Sequence, residues 1–151
     1  MAGPTDDVEY EQMLLWRHDL AYHRGGRHEN ALLERSAYVL LSRIRVQGPM
    51  SIGELSDAFG LDASTLNRQT AAATRAGLTE RIADPEGGMA RKFRITDKGA
   101  RLLDEERERV VRALDQVMHD WPDEDIAAYA AYLKRFNTGI EHISKRPWPR
   151  P

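Results

Sequence analysis

The chain contains no cysteine, and its 151 residues include no long apolar run. The absence of cysteine excludes disulfides, thiolate metal sites and redox switches that depend on a thiol. A membrane-spanning helix needs about 20 consecutive apolar residues, and no stretch of that length is present. Residues 1–7 have neither a basic segment nor an apolar core, so they do not have the pattern of a signal peptide. We therefore expect a cytoplasmic protein without a membrane partner.

The patterns that catalysis or cofactor binding requires are also missing. No Ser-His-Asp order, no pair of carboxylates and no phosphate-binding loop stands out. The glycine pairs Gly25-Gly26 and Gly87-Gly88 are typical of turns and not of a nucleotide fingerprint. His18, His23 and His28 are spaced five residues apart, which turns successive side chains by about 140° on a helix and prevents convergence on a metal. We expect no enzyme, no metal and no cofactor.

The chain also lacks a strong excess of basic residues, since its net charge is −2. Such an excess is common in proteins that bind nucleic acids. The distribution is uneven, however. Residues 61–101 contain eight Lys and Arg against five Asp and Glu, which gives +3 and leaves about −5 for the rest of the chain. A modestly basic segment on an acidic body suits selective DNA binding, because phosphate contacts supply affinity without sequence preference.

Residues 51–99 have the pattern of a helix, a short turn, a second helix and a two-stranded hairpin. Ser51 and Glu54 have the spacing of a capping box, in which each side chain bonds to the backbone N–H of the other residue. Gly60 is a natural end for the first helix, and Asp62 is a natural N-cap for the second. This order of elements predicts a winged helix-turn-helix, which is a DNA-binding unit.

The second helix of this unit, expected at residues 63–76, has one side to bury and one side suited to DNA. Steps of 100° per residue place Leu66, Thr70 and Ala73 on the buried side. The other side carries Ser64, Asn67, Arg68, Ala71 and Arg75. Small side chains permit close approach to a groove, and Arg and Asn can pair with guanine and adenine edges. The alternative is a plain solvated helix face, which the helix spacing and the hairpin argue against.

The hairpin is expected from two extended segments, residues 78–83 and 91–95. The connection at residues 84–90 contains one Pro and two Gly and is typical of a turn. In the second strand Phe93 and Ile95 share a face, while the intervening basic residues point away. The predicted DNA contacts are therefore Ser64, Thr65, Asn67, Arg68 and Arg75 on the helix, with Arg91, Lys92 and Arg94 on the hairpin.

The residues around the hairpin form a set of short motifs. They are Gly77-Leu78, Asp84-Pro85-Glu86, Ala90-Arg91-Lys92, Arg94-Ile95-Thr96 and Gly99, preceded by Gly48-Pro49, Ile52 and Glu54-Leu55. This set resembles the MarR family of bacterial transcriptional regulators over residues 48–103, and the flanking helices fit that family in order and length. The resemblance implies a homodimeric, mainly helical regulator, usually a repressor released by small aromatic ligands or by oxidants. Without cysteine, the peroxide-sensing branch is excluded.

One position of the wing departs from the family pattern. Similar proteins usually carry Asp-x-Arg at the wing tip, and that Arg enters the minor groove. This sequence has Gly87-Gly88-Met89 instead. A neutral side chain gains nothing from the negative potential of a narrow minor groove. We therefore expect the basic residues nearer the base of the hairpin to contact phosphates, and the wing to recognise little sequence.

The helices outside this unit are apolar along one side. We expect them at residues 8–23, 29–46 and 97–120, with a last helix starting near 123, and the charged segment 104–109 should cross solvent. The last helix carries a stripe formed by Ile126, Tyr129, Leu133, Phe136, Ile140 and Ile143. An isolated helix cannot bury such a stripe, and a second copy packed about a two-fold axis is the simplest partner. The alternative is packing within one chain.

These expectations divide the chain into a helical dimerisation region (8–30 and 100–145), a winged helix-turn-helix domain (31–99) and an irregular tail (146–151). A ligand pocket between the two parts would be lined by Trp16, His23, Tyr38 and Trp121, since pockets favour aromatic residues with a few polar groups. Ordinary core packing is the alternative for each.

The sequence thus predicts a mainly α protein with a small β-hairpin wing and terminal dimerisation helices. Its expected function is that of a homodimeric repressor that binds a pseudo-palindromic operator in double-stranded DNA. A small aromatic ligand would relieve the repression. The alternative is a winged-helix module for protein interaction or DNA architecture, without control by a ligand.

Overall fold

The computed structural model describes residues 3–18 and 33–151. Within these ranges the chain forms six helices and one two-stranded antiparallel hairpin. They are α1 (Pro4–Trp16), α2 (Arg35–Gln47), α3 (Ile52–Phe59), α4 (Ala63–Arg75), β1 (Thr79–Ile82), β2 (Lys92–Ile95), α5 (Asp97–Val117) and α6 (Asp123–Ser144). The predicted mainly α fold with a winged helix-turn-helix is confirmed. In the described ranges, no helix has the length and apolar character that crossing a membrane requires.

The first helix differs from its predicted bounds of 8–23. It begins earlier, at Pro4, because proline is well suited to the first position of a helix, where its missing N–H is no loss. It ends earlier, at Trp16, where the N–H groups of Arg17 and His18 each bond three residues back, at 3.2 and 2.9 Å.

The predicted second helix, residues 29–46, begins later than expected among the described residues, at Arg35 with Glu34 as its N-cap, and it ends at Gln47. Residues 19–23 of the first predicted helix and residues 29–32 of the second lie outside the described residues.

The fifth helix also stops before its predicted end at residue 120. Its last residue is Val117, and the N–H of Trp121 bonds to the carbonyl of Met118 at 3.0 Å in a turn. Pro122 follows this turn and acts as the N-cap of α6, since it cannot continue the preceding helix.

One apolar core joins α2, α3, α4, the hairpin and the first turns of α5. Its buried members are Leu33, Leu40, Leu41, Ile44, Met50, Leu55, Leu66, Ala73, Leu78, Phe93 and Leu103. The predicted inner side of α4 is confirmed, because Leu66, Thr70 and Ala73 are all buried. The hydroxyl of Thr70 donates to the carbonyl of Leu66 at 2.7 Å, which satisfies its polar group inside the core.

The start of α3 has the predicted capping box. The Glu54 N–H donates to the Ser51 hydroxyl oxygen at 3.1 Å, and the Ser51 N–H donates to the Glu54 carboxylate at 3.4 Å. The helix ends at Gly60, whose φ of 64° lies in the left-handed region that favours glycine. Asp62 is the N-cap residue of α4 as predicted, but its side chain makes no capping hydrogen bond.

The hairpin pairs Thr79 with Ile95 and Ile82 with Lys92 at its two ends. A further bridge connects β2 to the segment before α3. The N–H of Met50 donates to the carbonyl of Phe93 at 3.1 Å, and the N–H of Phe93 donates to the carbonyl of Met50 at 2.8 Å. These two bonds fix the hairpin beside the helix-turn-helix.

The prediction that residues 104–109 cross solvent is wrong at one position. The side chain of Glu106 is completely buried, and Arg109 forms an ion pair with it, donating from Nε to Oε2 at 3.2 Å. A charged residue can be buried when a partner of opposite charge is provided. At the surface of the same helix, Asp104 pairs with Arg45 of α2 at 2.5 Å.

The last helix leaves its apolar stripe uncovered. No residue of α6 is buried, and the stripe residues from Tyr129 to Ile143 are 41–83% exposed. Large apolar residues are also exposed near the end of α5, including Val111 and Val117. Contacts among residues 3–18 and 33–151 therefore do not bury this surface.

We predict that Gly99→Ala destabilises the fold. A Cβ at Gly99, in the first turn of α5, would lie 2.2 Å from the carbonyl oxygen of Leu78 and 3.0 Å from Cγ1 of Ile95. The Leu78 carbonyl cannot easily move, because it accepts a hydrogen bond from Thr96. The free energy of unfolding, measured with urea, should fall by about 1–3 kcal/mol.

The matched control is Gly53→Ala in α3. There the new Cβ would meet only the Ser51 hydroxyl, at 3.9 Å, and alanine is favoured over glycine inside a helix by about 0.5–1 kcal/mol. A Gly99→Ala variant as stable as Gly53→Ala would contradict the close packing of Gly99 against Leu78 and Ile95.

Candidate nucleic-acid interface

The outer side of α4 forms an exposed row of small and hydrogen-bonding side chains. This α4 row consists of Ser64, Asn67, Arg68, Ala71 and Arg75. The buried side of the helix holds it against the core, so the row lies on a rigid support. A firmly held helix with one exposed polar side has the form of an element that enters the major groove.

Within the row, Arg68 is held by a neighbour on the same helix. Its Nη2 donates to the hydroxyl oxygen of Thr65 at 3.2 Å. Thr65 is half-buried, which restricts the hydroxyl that accepts this bond. Thr65 therefore orients Arg68 and lies beside it at the start of α4.

A cleft of about 670 Å³ separates α4 from the hairpin. The start of α3 also lines it, and three arginines face it: Arg75 of α4, Arg81 of β1 and Arg91 just before β2. We call it the arginine cleft. Among the described residues these three guanidinium groups form no ion pair. They remain able to bind an external anion such as a phosphate group.

Arg81 was not among the DNA contacts predicted from the sequence. Arg81 lies directly opposite Phe93 in the hairpin register, and residues opposite each other in a hairpin share a face. Phe93 also lines the cleft. Knowledge of the strand register would have identified Arg81. The register cannot be predicted from the sequence, because the connection at residues 83–91 is too long to fix which residues pair.

Lys92, in contrast, is engaged by acidic side chains. Its Nζ lies 3.0 Å from the carboxylate of Glu54 and 3.7 Å from that of Asp84, and only 15% of its side chain is exposed. The hydrogen bond from Lys92 to Glu54 raises the pKa of Lys92 above its ordinary value. Lys92 thus ties the hairpin to the first turn of α3.

The same contact determines the charge of Glu54. Burial by itself would raise the pKa of this carboxyl group. The hydrogen bonds from Lys92 and Ser51 and the charge of Lys92 outweigh burial, so the pKa of Glu54 lies below its ordinary value. Glu54 therefore remains ionised while it caps α3 and binds the hairpin.

Arg94 also has an acidic partner, on the adjacent strand. Its Nε donates to the carboxylate of Glu80 at 2.8 Å, and its Nη2 contacts the same oxygen. Both groups are about half exposed. Of the three hairpin residues predicted to contact DNA, only Arg91 is without an ion pair among the described residues.

The wing tip is exposed and carries no charge at its outermost positions. Met89 is fully exposed, and Gly87 has a φ of 85°. The loop closes on Asp84, whose carboxylate accepts from the N–H of Glu86 at 2.9 Å and whose carbonyl accepts from Gly87 at 3.0 Å. The structure thus presents a tip without a basic side chain at residues 84–90, on a defined turn.

Of the four residues predicted to line a ligand pocket, the structure describes three, and these three lie in different parts of the fold. Trp16 is 79% exposed on α1. Tyr38 is half-buried on α2 and packs against the core, and burial raises its pKa. Trp121 lies between α5 and α6 and contacts the ring of Tyr129 edge-on at 5.8 Å. His23 lies outside the described residues.

Comparison with known proteins identifies relatives of this chain. A model of the MarR family matches residues 33–87. The chain is 32% identical over 135 residues to YxaD, an HTH-type transcriptional regulator of Bacillus subtilis, and the match covers 89% of this chain and 94% of YxaD.

Two solved structures have a similar fold. One is a MarR family protein from Bacillus stearothermophilus, with a TM-score of 0.71 and 24% identity over 93% of this chain and 99% of that protein. The other is BpsR of Bordetella bronchiseptica, whose DNA binding is regulated by 6-hydroxynicotinic acid. Its TM-score is 0.66, with 15% identity over 91% of this chain and 97% of BpsR.

We predict that Glu54→Gln lowers stability at neutral pH but not in acid. Glutamine can still complete the capping box, so the variant removes mainly the ion pair with Lys92. Because the pKa of Glu54 is lowered in the folded protein, its ionised form stabilises the fold above pH 4.5, its ordinary pKa. That contribution is lost as the pH falls through the lowered pKa.

Urea unfolding measured from pH 7 down to about pH 2, well below the ordinary pKa of Glu54, tests this prediction. The difference between wild type and Glu54→Gln should be at most about 1 kcal/mol at pH 7, as expected for a solvent-screened pair, and should vanish in acid. Glu105→Gln, at an exposed site on α5, is the control. A difference that persisted at low pH would exclude the ion pair as its cause.

Proposed function

Because the chain belongs to the MarR family of transcriptional regulators, we propose that it is a homodimeric repressor of a pseudo-palindromic operator, released by a small-molecule ligand. The protein is a DNA-binding regulator with a helix-turn-helix and not an enzyme. The observation that carries the proposal is the exposed α4 row beside the arginine cleft. It combines groups that can recognise bases with groups that can bind phosphate.

In this proposal α4 enters the major groove with the α4 row against the base edges. Asn67 and Arg68 are the residues for base recognition, since Asn pairs with adenine and Arg with guanine. Ser64 and Thr65 lie at the start of the helix, where contacts with base edges are usual in this motif. Small Ala71 permits the close approach of the helix to the groove.

The phosphate contacts are assigned to the arginine cleft. Arg75, Arg81 and Arg91 lie on both sides of the cleft, so a DNA backbone passing between α4 and the hairpin would meet all three. Lys92 and Arg94 are already bound to carboxylates. We assign them mainly to positioning the hairpin, with phosphate contacts as a second role.

The homodimer is supported by the uncovered α6 stripe. Residues of this stripe are 41–83% exposed in the single chain, and a second copy would bury both stripes about a two-fold axis. Two helix-turn-helix units related in this way bind half-sites about one helical turn, roughly 34 Å, apart. The operator would then be pseudo-palindromic, as the protein is two-fold symmetric.

The ligand is proposed from BpsR and from the surroundings of Tyr38. BpsR responds to 6-hydroxynicotinic acid, a small aromatic acid. Tyr38 lies on α2, near the charges of Arg107 and Glu106 of α5 and of Arg45 of α2. An aromatic side chain among charged groups suits a small polar aromatic ligand. Trp16, His23 and Trp121 are the other predicted lining residues.

Selection of genomic DNA fragments by the purified protein tests the proposed function. We expect the bound fragments to share a pseudo-palindrome and light scattering to show two chains per fragment. Fragments without a common sequence would favour an architectural DNA-binding module. Monomers bound to DNA at micromolar concentration would contradict the homodimer.

We predict that Arg68→Ala weakens binding to the selected operator by about 1–3 kcal/mol and relaxes one base position. The reason is the loss of a paired contact with a base edge. Titration against the operator and a set of single-base variants measures it. Arg112→Ala, which removes an exposed arginine on α5, is the control. Equal losses for operator and random DNA would show that Arg68 contacts only phosphate.

For the wing we predict opposite effects at two neighbouring positions. Arg91→Ala should weaken binding to all sequences alike and lower the salt slope by about one unit, as expected for a lost phosphate contact. Met89→Arg should tighten binding, most of all at A·T-rich flanks with a narrow minor groove. Met89→Ala is the control and should change little.

Titrations of these three variants at several salt concentrations measure the effects. If Arg91→Ala lost the preference for flanking sequence and kept the salt slope of the wild type, then Arg91 would occupy the minor groove and the assignment would be wrong.

A further inference from the structure

The C-terminal tail, residues 146–151, has no helix or strand, but it makes specific contacts at both of its sides. Lys145 ends α6 with a φ of 57°, in the left-handed region that turns the chain back on the helix. The N–H of Arg146 then bonds to the carbonyl of Glu141 at 3.1 Å. The tail therefore leaves α6 in a defined direction.

On one side the tail is fixed to the last turn of α6 through Glu141. The carboxylate of Glu141 accepts from the N–H of Trp148 at 2.5 Å and from two nitrogens of Arg150 at 2.6 and 2.9 Å. The hydrogen bonds from Arg150 and then from Trp148 lower the pKa of Glu141 below its ordinary value. Tail and helix end thus form one unit.

On the other side the tail contacts the helix-turn-helix through Trp148. The indole ring lies 5.6 Å from the ring of Phe59 at the end of α3, and the guanidinium of Arg43 on α2 lies 4.7 Å over the indole. Arg43 is only 7% exposed and is oriented by Gln47, to which its Nε donates at 2.9 Å. Phe59 packs against the main core.

Two further contacts bring the tail to the turn that precedes α4. Arg146 donates from Nε to the carbonyl of Asp57 at 3.1 Å. Its guanidinium carbon would lie 2.8 Å from a Cβ added at Gly60, so the tail packs closely on the residue between α3 and α4. Nη1 of Arg43 also reaches the carbonyl of Pro147, at 3.5 Å.

These contacts connect the helix that carries the α6 stripe with the unit that carries the α4 row. No residue of α6 is buried, so the body of the helix has little packing of its own against the helix-turn-helix. The tail holds the C-terminal end of α6, which is 22 residues long. A small displacement at that end therefore changes the direction of the whole helix. The tail is placed to define the angle between α6 and α4.

We propose that Trp148 is a positioning residue that fixes α6 relative to the helix-turn-helix and thereby sets the half-site spacing recognised by the dimer. This inference rests on the proposed function, because the α6 stripe must form the dimer contact. In the dimer the tails would act in both chains, and the distance between the two α4 helices would depend on them. DNA specificity would then include spacing in addition to base sequence.

The test uses the full chain and DNA probes of altered spacing. The reference probe is the DNA fragment that the wild-type protein selects. In a second group of probes, one, two or four base pairs are inserted between the two half-sites. A third probe contains a single half-site. Trp148→Ala should reduce the preference for the native spacing by about tenfold, as expected from the loss of a ring pair and a cation–π contact. Binding to the single half-site should stay within about twofold of wild type.

Two more variants separate positioning from general stability. Trp148→Phe keeps an aromatic ring against Phe59 and should restore most of the spacing preference. Arg146→Ala leaves the indole in place and removes the bond to Asp57, so it should weaken the preference in the same direction. This variant carries the test if Trp148→Ala fails to fold.

Three outcomes would overturn the inference. In the first, Trp148→Ala and Arg146→Ala keep the spacing profile of wild type. In the second, they lose affinity for the single half-site as much as for the full operator, which means that the tail only supports the helix-turn-helix. In the third, wild type itself shows no preference for spacing, and that result would overturn the proposed two-site binding as well.

Discussion

The arrangement of the proposed DNA-binding surface depends on the two backbone hydrogen bonds between Met50 and Phe93. They attach β2 to the segment that leads into α3, and they place the side chain of Phe93 in the core. The arginine cleft exists because the hairpin is held at this distance from α4. The side chain of Lys92 reinforces this attachment, because its ammonium group forms an ion pair with Glu54, whose carboxylate also caps the start of α3. Helix cap, wing and cleft are therefore one connected structure.

The charge of the protein is organised around the same structure. A net charge of −2 gives little general attraction to DNA, and the ion pairs of Lys92 and Arg94 reduce the free positive charge of the hairpin further. Of the basic residues at 61–101 that form no ion pair among the described residues, three arginines line one cleft and a fourth lies in the α4 row. Since non-specific affinity rises with the number of phosphate contacts, this arrangement leaves a larger share of the affinity to base recognition.

The sequence allowed the local elements to be predicted but not the contacts between distant segments. The Ser51–Glu54 cap, the buried side of α4 and the face of Phe93 follow from spacing alone, because short-range geometry determines them. Arg81 was missed because a long connection leaves the hairpin register open. Glu106 was missed because its burial depends on tertiary packing, and the tail was predicted as irregular because its contacts span about a hundred residues of chain. The bounds of the domains and the DNA contacts stay predictions.

The separation of the two sides of α4 has a consequence for the divergence of related regulators. The exposed α4 row makes almost no contribution to the core, and exposed substitutions usually change stability by less than about 0.5 kcal/mol. Ser64, Asn67 and Arg68 can therefore be exchanged one at a time without unfolding the protein. If the α4 row recognises the operator as proposed, a duplicated copy of such a gene can acquire a different operator through a few steps, each of which leaves a folded protein on which selection can act.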